Sequence, residues 1–216
     1  MQTADAREQM VQQQVRAWDV LDERVLDVMR QVPRERFVPE GQRYRAYADV
    51  EVPLGHGQHM LRPSVTGRLL QALLPQPHEQ VLEIGTGTGF VTACLRAMAA
   101  AVRSLELYPA LAASARANLA AFGVRDTEVM DQDALHFESG VRYDVIAVTG
   151  SMPLYDARFE RMLNIGGRLF IVVGEAPVME ARLVQRTAAE RWSAQSLFET
   201  VIDPLVHAVR PPEFTF

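Results

Sequence analysis

Apolar residues near the amino terminus recur with a helical period. Val25, Val28, Met29 and Val32 are spaced three or four residues apart, which places them on one face of a helix. The pattern predicts mostly helical structure over residues 4–40.

A stretch with several glycines and few consecutive apolar residues follows at residues 41–62. It is predicted to be a long loop, and long loops in compact domains are often functional. Pro63 then suits the first turn of a helix, because its fixed φ and missing N–H are tolerated there. That helix is predicted to run to Leu74.

Between residues 80 and 174 the pattern alternates between short strands and helices. Strands separated by helices in this way predict a parallel sheet with right-handed crossovers. The predicted strands cover 81–84, 102–107, 127–131, 143–149 and 168–173, and the predicted helices cover 90–100, 109–122 and 155–163.

The last stretch changes character. Residues 179–186 and 192–202 predict two strands of an antiparallel hairpin added to the parallel sheet. The predicted fold class is therefore α/β, a Rossmann-like doubly wound sheet with a C-terminal antiparallel hairpin and an N-terminal helical segment. At about 100–200 residues per domain, the length of 216 residues predicts one domain, 1–216. Its parts are helices and a loop over 1–79, the sheet core over 80–174, and the hairpin and tail over 175–216.

The charged residues exclude several chemistries. All 22 basic residues are arginines, and 27 Asp plus Glu give a net charge of −5. Without lysine, neither a Schiff-base nucleophile nor a Gly-Lys-Ser/Thr phosphate loop can be present. The acidic balance argues against nucleic acid and against an anionic membrane surface as partners. The sequence carries no signal for an oligomeric state.

Cysteine and histidine usage favours a metal-free protein of a reducing compartment. Cys94 is the single cysteine, which excludes an intramolecular disulfide and a cysteine-based zinc site, so a cytoplasmic location is expected. Four of the five histidines show no metal-ligand spacing, and no metal is expected. The longest uninterrupted aliphatic and aromatic run, residues 169–173, is too short to span a bilayer.

The most informative motif is Glu83-Ile84-Gly85-Thr86-Gly87-Thr88-Gly89, between the first strand of the core and the helix after it. Open α/β sheets bind ligands at such a turn, where glycines let a ligand approach the backbone. Position 90 is Phe, so the dinucleotide pattern Gly-x-Gly-x-x-Gly fails at its third glycine. A tight turn without a ligand is the alternative interpretation.

Two acidic residues support a nucleoside ligand. Glu106 ends the next strand, about 20 residues after the first glycine, where a carboxylate can accept hydrogen bonds from both ribose hydroxyls. Asp133 follows the third strand of the core, where it can face an adenine ring. The alternatives are a solvated carboxylate for Glu106 and an ordinary loop residue for Asp133.

This combination of acids and alternate glycines resembles the S-adenosylmethionine pocket of class I methyltransferases. Over almost the whole chain, weakening after about residue 175, the sequence resembles the protein L-isoaspartyl O-methyltransferase family. Its Val-Pro-Arg-x-x-Phe-Val and Gly-x-Gly-Gln blocks are quite specific to that family. The matching blocks, in the family's order and spacing, are Met10 to Gln14, Asp22 to Leu26, Val32 to Pro39, Ala46 to Asp49, Pro53 to Gln58, Val81 to Gly89, Tyr143 to Thr149 and Gly166 to Leu169.

The resemblance implies S-adenosylmethionine as the cofactor, bound by the core over residues 80–174. It implies the esterification of isoaspartyl carboxylates in damaged proteins, so that the ester can cyclise to a succinimide. Glu106 would hold the ribose, Leu107 would be a further cofactor-binding residue, and Asp133 and Ala134 would flank the adenine. The methionyl end would be held by Glu83, Gly85, Thr86, Gly87 and Gly89.

The acceptor side departs from the family. After Gly-x-Gly-Gln the family normally has Thr-Ile-Ser-x-Pro, but this chain has His59-Met60-Leu61-Arg62-Pro63. In the family, the hydroxyl of that serine contacts the acceptor carboxylate. The same position here is Leu61, which cannot donate a hydrogen bond. A carboxylate is already ionised at pH 7, so the reaction needs alignment rather than a general base. The implied acceptor pocket consists of Gln58, His59, Leu61, Arg62 and Thr149.

The sequence assigns no catalytic residue, and His59 is the candidate. It could donate to the acceptor, or act as a base for a different acceptor such as a phenol or a thiol. Arg62 could clamp a carboxylate or be solvated, Met60 is expected to be apolar wall, and Ser64 is expected to face elsewhere.

Three functions follow from these observations. The first is isoaspartyl esterification of a protein or peptide. The second is the same cofactor site with a different, small-molecule acceptor. The third is a cofactor-binding module without turnover that acts through a partner.

Overall fold

The computed structural model describes residues 3–211, and its first part is helical but interrupted. Helix α1 (Thr3–Met10) continues into a π-helical and a 3₁₀ turn, and helix α2 (Glu23–Gln31) follows. The break falls at Asp19, whose φ of 60° is left-handed. The prediction of helix over 4–40 is therefore confirmed in part, with two turns of 3₁₀ helix at Arg34–Arg36 and Glu40–Arg45 after α2.

Local sequence explains where α2 begins and ends. The Asp22 carboxylate accepts a hydrogen bond from the Arg24 N–H and so caps the first turn. Val32 is extended at the other end, as expected for a residue that precedes a proline. The predicted apolar face of Val25, Val28 and Met29 is buried.

The prediction of a loop over 41–62 is wrong in part. Strands β1 (Val52–Gly55) and β2 (Gln58–Met60) form a small antiparallel hairpin there. Its turn holds Gly55, His56 and Gly57 at φ values of 95°, 55° and 70°, a conformation that two glycines make inexpensive. Strands this short show no alternation, which is why the pattern did not reveal them.

The main sheet has seven strands in the order β5-β4-β3-β6-β7-β8-β9. β3, β4, β5, β6 and β7 pair in parallel, and β7, β8 and β9 pair antiparallel, which confirms the predicted α/β class. The strands are β3 (Gln80–Ile84), β4 (Ala101–Glu106), β5 (Thr127–Asp131), β6 (Tyr143–Met152), β7 (Leu163–Glu175), β8 (Val178–Ala188) and β9 (Arg191–Glu199). The helices are α3 (Pro63–Leu73), α4 (Phe90–Met98), α5 (Pro109–Phe122) and α6 (Arg158–Arg161).

Some predicted boundaries are wrong near the C-terminal half. The helix predicted over 155–163 is only the four-residue α6, because β7 begins at Leu163 instead of residue 168. A bend at Gly166, with φ of 85°, lets β7 start early and still pair with β6. The last strand ends at Glu199 rather than 202, and the end of the predicted tail, 212–216, lies outside the described residues.

Apolar side chains cover both faces of the sheet. Alternate strand residues enter two separate clusters: Val81 packs with the N-terminal helices, α3 and α4, whereas Leu82 packs with α6 on the opposite face. This division produces the doubly wound arrangement, because a parallel sheet must be covered on both sides. Within residues 3–211, no helix is long and apolar enough to cross a membrane.

Arg168 ties the sheet to the end of α3. From β7 it donates to the carbonyl oxygens of Leu73 and Leu74, and its two terminal nitrogens lie 2.8 Å from the Glu79 carboxylate oxygens. Burial raises the pKa of Glu79, but the hydrogen bonds from Arg168 and from the Gln76 N–H outweigh it and hold that pKa below its usual value.

Replacing Arg168 with alanine should destabilise the fold by about 3–5 kcal/mol, because Glu79 would stay largely buried without its partner. Urea denaturation at pH 7 measures this loss, and Arg16→Ala, which breaks the exposed pair with Glu23, should cost less than about 1 kcal/mol. Since the pKa of Glu79 is depressed, the penalty should shrink as pH falls through the acid range. Equal losses for the two variants would contradict this role.

Candidate active site

A cavity opens at the C-terminal ends of β3, β4 and β6, where the strand order reverses. Its empty space, including the open mouth, is about 780 Å³. The β1–β2 hairpin and the segment after β9 form its other walls. Its lining residues are Glu51, Leu54, Gln58, His59, Leu61, Ile84, Gly85, Gly87, Leu105, Glu106, Leu107, Tyr108, Leu111, Gln132, Asp133, Ala134, Leu135, Thr149, Gly150, Ile202, Asp203, Leu205 and Val206.

The glycine loop is pressed against the end of β6. The Thr149 hydroxyl lies 2.9 Å from the Ile84 carbonyl oxygen and 2.6 Å from that of Gly85, so its one hydrogen is used within the protein. A Cβ on Gly85 would lie 2.5 Å from that hydroxyl oxygen, and Gly85 has φ of 90°. Glycine is therefore required here both for space and for backbone conformation.

Glu106 projects from the end of β4 into the cavity and is almost fully buried. Its carboxylate accepts hydrogen bonds from the N–H groups of Gly87 (2.8 Å) and Tyr108 (3.0 Å). Burial raises its pKa, and these backbone donors offset only part of the rise. A carboxylate with two oxygens and about four acceptor positions keeps sites free for two hydroxyl donors.

Glu83 lies beneath the glycine loop and lines neither this cavity nor the smaller one beside it. Its Oε2 accepts hydrogen bonds from the hydroxyls of Thr92 and Ser104, and the Ser104 hydroxyl also bonds that of Thr86. Burial raises the pKa of Glu83 to about 7, against the lowering by Ser104 and Thr92. Its position indicates that it supports the loop from below.

Of the remaining residues predicted to bind the cofactor, some line a cavity and one does not. Gly87 and Leu107 line the cavity, and Thr86 lines the adjoining smaller cavity. Gly89 lines neither. It is the left-handed residue immediately before α4, and a Cβ there would lie 3.2 Å from Leu119.

Asp133 and Ala134 line the far end of the cavity. The Asp133 carboxylate bonds the Leu135 N–H and the Nδ1 atoms of His136 and His207, each at 2.9 Å. Burial raises the pKa of Asp133, but these three partners outweigh it and leave the pKa lowered. The carboxylate is thus occupied by the protein, and Ala134 offers an apolar surface beside it.

Four of the five residues predicted to form the acceptor pocket line the cavity. Gln58, His59, Leu61 and Thr149 line the cavity. Arg62 does not, because its guanidinium lies over the Trp18 ring, 5.3 Å from the centroid, and donates to the Thr200 hydroxyl.

Two neighbours behave as the sequence suggested. Met60 is buried apolar wall of the smaller cavity. The Ser64 hydroxyl donates to the Asp49 carboxylate at 2.8 Å, and Ser64 lines neither cavity.

The structure adds residues that the sequence did not single out. Nδ1 of His59 lies 2.9 Å from Oδ2 of Asp203, and Glu51 lines the same wall. Burial, followed by the Asp203 charge, raises the pKa of Glu51. Asp203 falls where the resemblance weakens and is 144 residues from His59, so no local signal identified it.

Two further features were present in recognised motifs but had no assigned role. Arg34 of the Val-Pro-Arg block is fully buried, lies over the Phe90 ring and donates to the Leu61 carbonyl oxygen at 2.8 Å. The buried Thr88 hydroxyl of the glycine motif lines the smaller cavity and has no partner among residues 3–211. In that same part of the chain, no group of three His, Cys, Asp or Glu side chains is placed to hold a metal ion.

A parallel sheet with an antiparallel end, a glycine loop at the reversal of strand order, and an acid at the end of the second core strand define the class I methyltransferase architecture. Within that class the chain belongs to the protein-L-isoaspartate(D-aspartate) O-methyltransferase family, whose sequence model matches residues 5–209.

Relatives with similar sequences carry the same family name. Protein-L-isoaspartate O-methyltransferase 1 of Rhodopseudomonas palustris is 39% identical over 206 residues, covering 94% of this chain and 84% of the relative. The enzyme of that name from a Synechococcus strain is 37% identical over 210 residues, covering 94% and 86%.

A solved structure shares the fold. The Plasmodium falciparum protein described as a protein-L-isoaspartate O-methyltransferase, in complex with S-adenosyl-L-homocysteine, superposes with a TM-score of 0.79 at 18% identity. The match covers 92% of this chain and 97% of that one.

Gly85→Ala should unfold at lower urea concentration than Gly166→Ala and should also lose affinity for S-adenosylhomocysteine. Both glycines have φ near 90°, and each alanine pays about 1–2 kcal/mol of backbone strain. Only at Gly85 does a Cβ also collide with Thr149, whereas nothing lies within 4 Å at Gly166. Urea denaturation and calorimetric titration measure the two effects, and identical behaviour of the variants would refute the close contact.

Proposed function

We propose that this chain transfers the methyl group of S-adenosylmethionine to isoaspartyl carboxylates of damaged proteins or peptides. The observation that carries the proposal is family membership over residues 5–209, together with 39% identity to a relative named for this activity. A cytoplasmic location is part of the proposal and rests on the single cysteine, Cys94, which is buried.

The cavity suits this cofactor. When bound, S-adenosylmethionine supplies a methyl group on a positively charged sulfur, and this methyl group passes to an acceptor oxygen as the carbon–sulfur bond breaks. Glu106 would accept from the ribose hydroxyls, and Leu107 and Ala134 would contact the adenine. Four carboxylates and no arginine line the cavity within residues 3–211, which favours a cationic ligand. The lining acids are Glu51, Glu106, Asp133 and Asp203.

The protein's own part in the reaction is alignment. The glycine loop, fixed by Thr149 and by the Glu106 bond to the Gly87 N–H, would set the position of the methionyl end. An isoaspartyl carboxylate is ionised at neutral pH, so no residue needs to remove a proton. Apolar walls from Leu54 and Leu61 would exclude water from the reacting atoms.

The acceptor would bind at the end of the cavity that Gln58, His59, Leu61 and Thr149 line. A protein or peptide fits this proposal because the reacting carboxylate is one side chain of a longer chain.

A second candidate function is methyl transfer to a different, small-molecule acceptor. It is favoured by one observation: Leu61 occupies the position of the family serine, and the Thr149 hydroxyl already donates to backbone carbonyls. The cofactor site would be the same under both proposals.

Labelled methyl should pass from S-adenosylmethionine to a synthetic peptide with a central isoaspartyl residue, and not to the same peptide with ordinary aspartate. Scintillation counting of the purified peptide measures the transfer. Incorporation no greater than with boiled enzyme, at high enzyme concentration, would reject the isoaspartyl acceptor and leave the second candidate.

The matched variant for this assay is Leu61→Ser, which restores the family residue. If the hydroxyl is useful in this pocket, the rate on the isoaspartyl peptide should rise, by up to roughly 10²–10³, the loss known for one positioning donor. No gain would mean that the acceptor site has diverged at more positions than this one.

A further inference from the structure

The loss of the serine leaves few hydrogen-bond donors at the acceptor end. The Thr149 hydroxyl donates to backbone carbonyls, and the Thr86 hydroxyl bonds Ser104. The Thr88 hydroxyl has no partner among residues 3–211, but it lines the smaller cavity and not the large one. An anionic acceptor in this cavity therefore needs a donor from another side chain at this end, where Gln58 is neutral and His59 can be charged.

His59 is placed to provide that donor. It lines both the large and the smaller cavity, and in each it lies with Leu61, Gly85 and Thr149. Its Nδ1 lies 2.9 Å from Oδ2 of Asp203, and a carboxylate can only accept, so Nδ1 carries a hydrogen. Nε2, on the other side of the ring, has no hydrogen-bond partner among residues 3–211.

The charges around His59 favour a charged donor over a neutral one. Asp203 binds it directly, and Glu51 lines the same wall, so two carboxylates face an incoming carboxylate. Burial raises the pKa of Glu51, and the positive charge of Arg62 opposes that rise in part. The Arg62 guanidinium does not line the cavity, because it lies over the Trp18 ring and donates to the Thr200 hydroxyl. Of the described residues that line the cavity, His59 alone can carry a positive charge.

We propose that the His59 imidazolium, oriented through Nδ1 by Asp203, donates Nε2–H to the acceptor carboxylate in place of the family serine. This inference rests on the proposed isoaspartyl function. In the transfer, a carboxylate oxygen bonds to the methyl carbon, the carbon–sulfur bond breaks and its electron pair stays on sulfur. No proton moves, so His59 keeps its charge. The ester product is neutral and loses the charge-assisted bond, which favours its release.

The test is calorimetric binding of the isoaspartyl peptide to protein saturated with S-adenosylhomocysteine, alongside kcat/KM for its methylation, from pH 5 to 8. Histidine loses its charge over this range. Because the donor is the charged form, affinity and kcat/KM should be highest at low pH and fall as pH rises. His59→Gln and Asp203→Asn should weaken peptide binding at pH 6 about 10- to 100-fold, the loss of one charge-assisted hydrogen bond.

Two control variants test whether the effect is specific to His59. His78→Gln changes an exposed histidine away from the cavity and should bind the peptide like the unaltered protein. Thr88→Val removes the one hydroxyl of the glycine loop that has no partner among residues 3–211, and a loss of peptide binding there but not in His59→Gln would overturn the inference. Affinity for S-adenosylhomocysteine should stay within about threefold in His59→Gln, since the imidazole is assigned to the acceptor.

The outcomes distinguish this inference from the function on which it rests. Methylation that is unchanged in His59→Gln, or that rises with pH as for a general base, would overturn the role of His59 and leave the isoaspartyl function standing. Absence of peptide binding and methylation at every pH, with S-adenosylhomocysteine still bound, would overturn both.

Discussion

The site depends on the contact between the glycine loop and the end of β6. The Thr149 hydroxyl bonds the carbonyl oxygens of Ile84 and Gly85. A Cβ on residue 85 would collide with that hydroxyl. This contact occurs where β3 lies between β4 and β6. The parallel strands β4 and β5 follow on one side of β3, and β6 and β7 follow on the other, so the strand order reverses there. The crevice left at such a reversal is where open α/β sheets bind ligands.

The walls of the crevice come from distant parts of the chain. The β1–β2 hairpin covers one side, where the His56 ring stacks on Tyr108 with centroids 4.1 Å apart. The segment after β9 covers another, and it is held by the Ser151–Asp203 and Ser151–Leu205 backbone hydrogen bonds. Because both walls meet at His59 and Asp203, the acceptor end depends on tertiary packing between distant parts of the chain.

The sequence predicted what local chemistry determines. Glycines followed by an acid at the end of the next strand identified the loop and Glu106, since both follow from strand and helix periods. It could not predict the His59–Asp203 pair, whose members are 144 residues apart, or that Glu83 lies under the loop rather than in the cavity. The prediction of a loop over 41–62 missed the β1–β2 hairpin, because strands of four and three residues are too short to show an alternation of apolar and polar residues.

A crystal structure of the protein with S-adenosylhomocysteine and the isoaspartyl peptide would test the account most directly. We expect both ribose hydroxyls within about 2.7–3.2 Å of the Glu106 carboxylate oxygens, and the peptide carboxylate at the same distance from Nε2 of His59. A nucleoside bound away from Glu106, or a peptide carboxylate that does not reach His59, would contradict it.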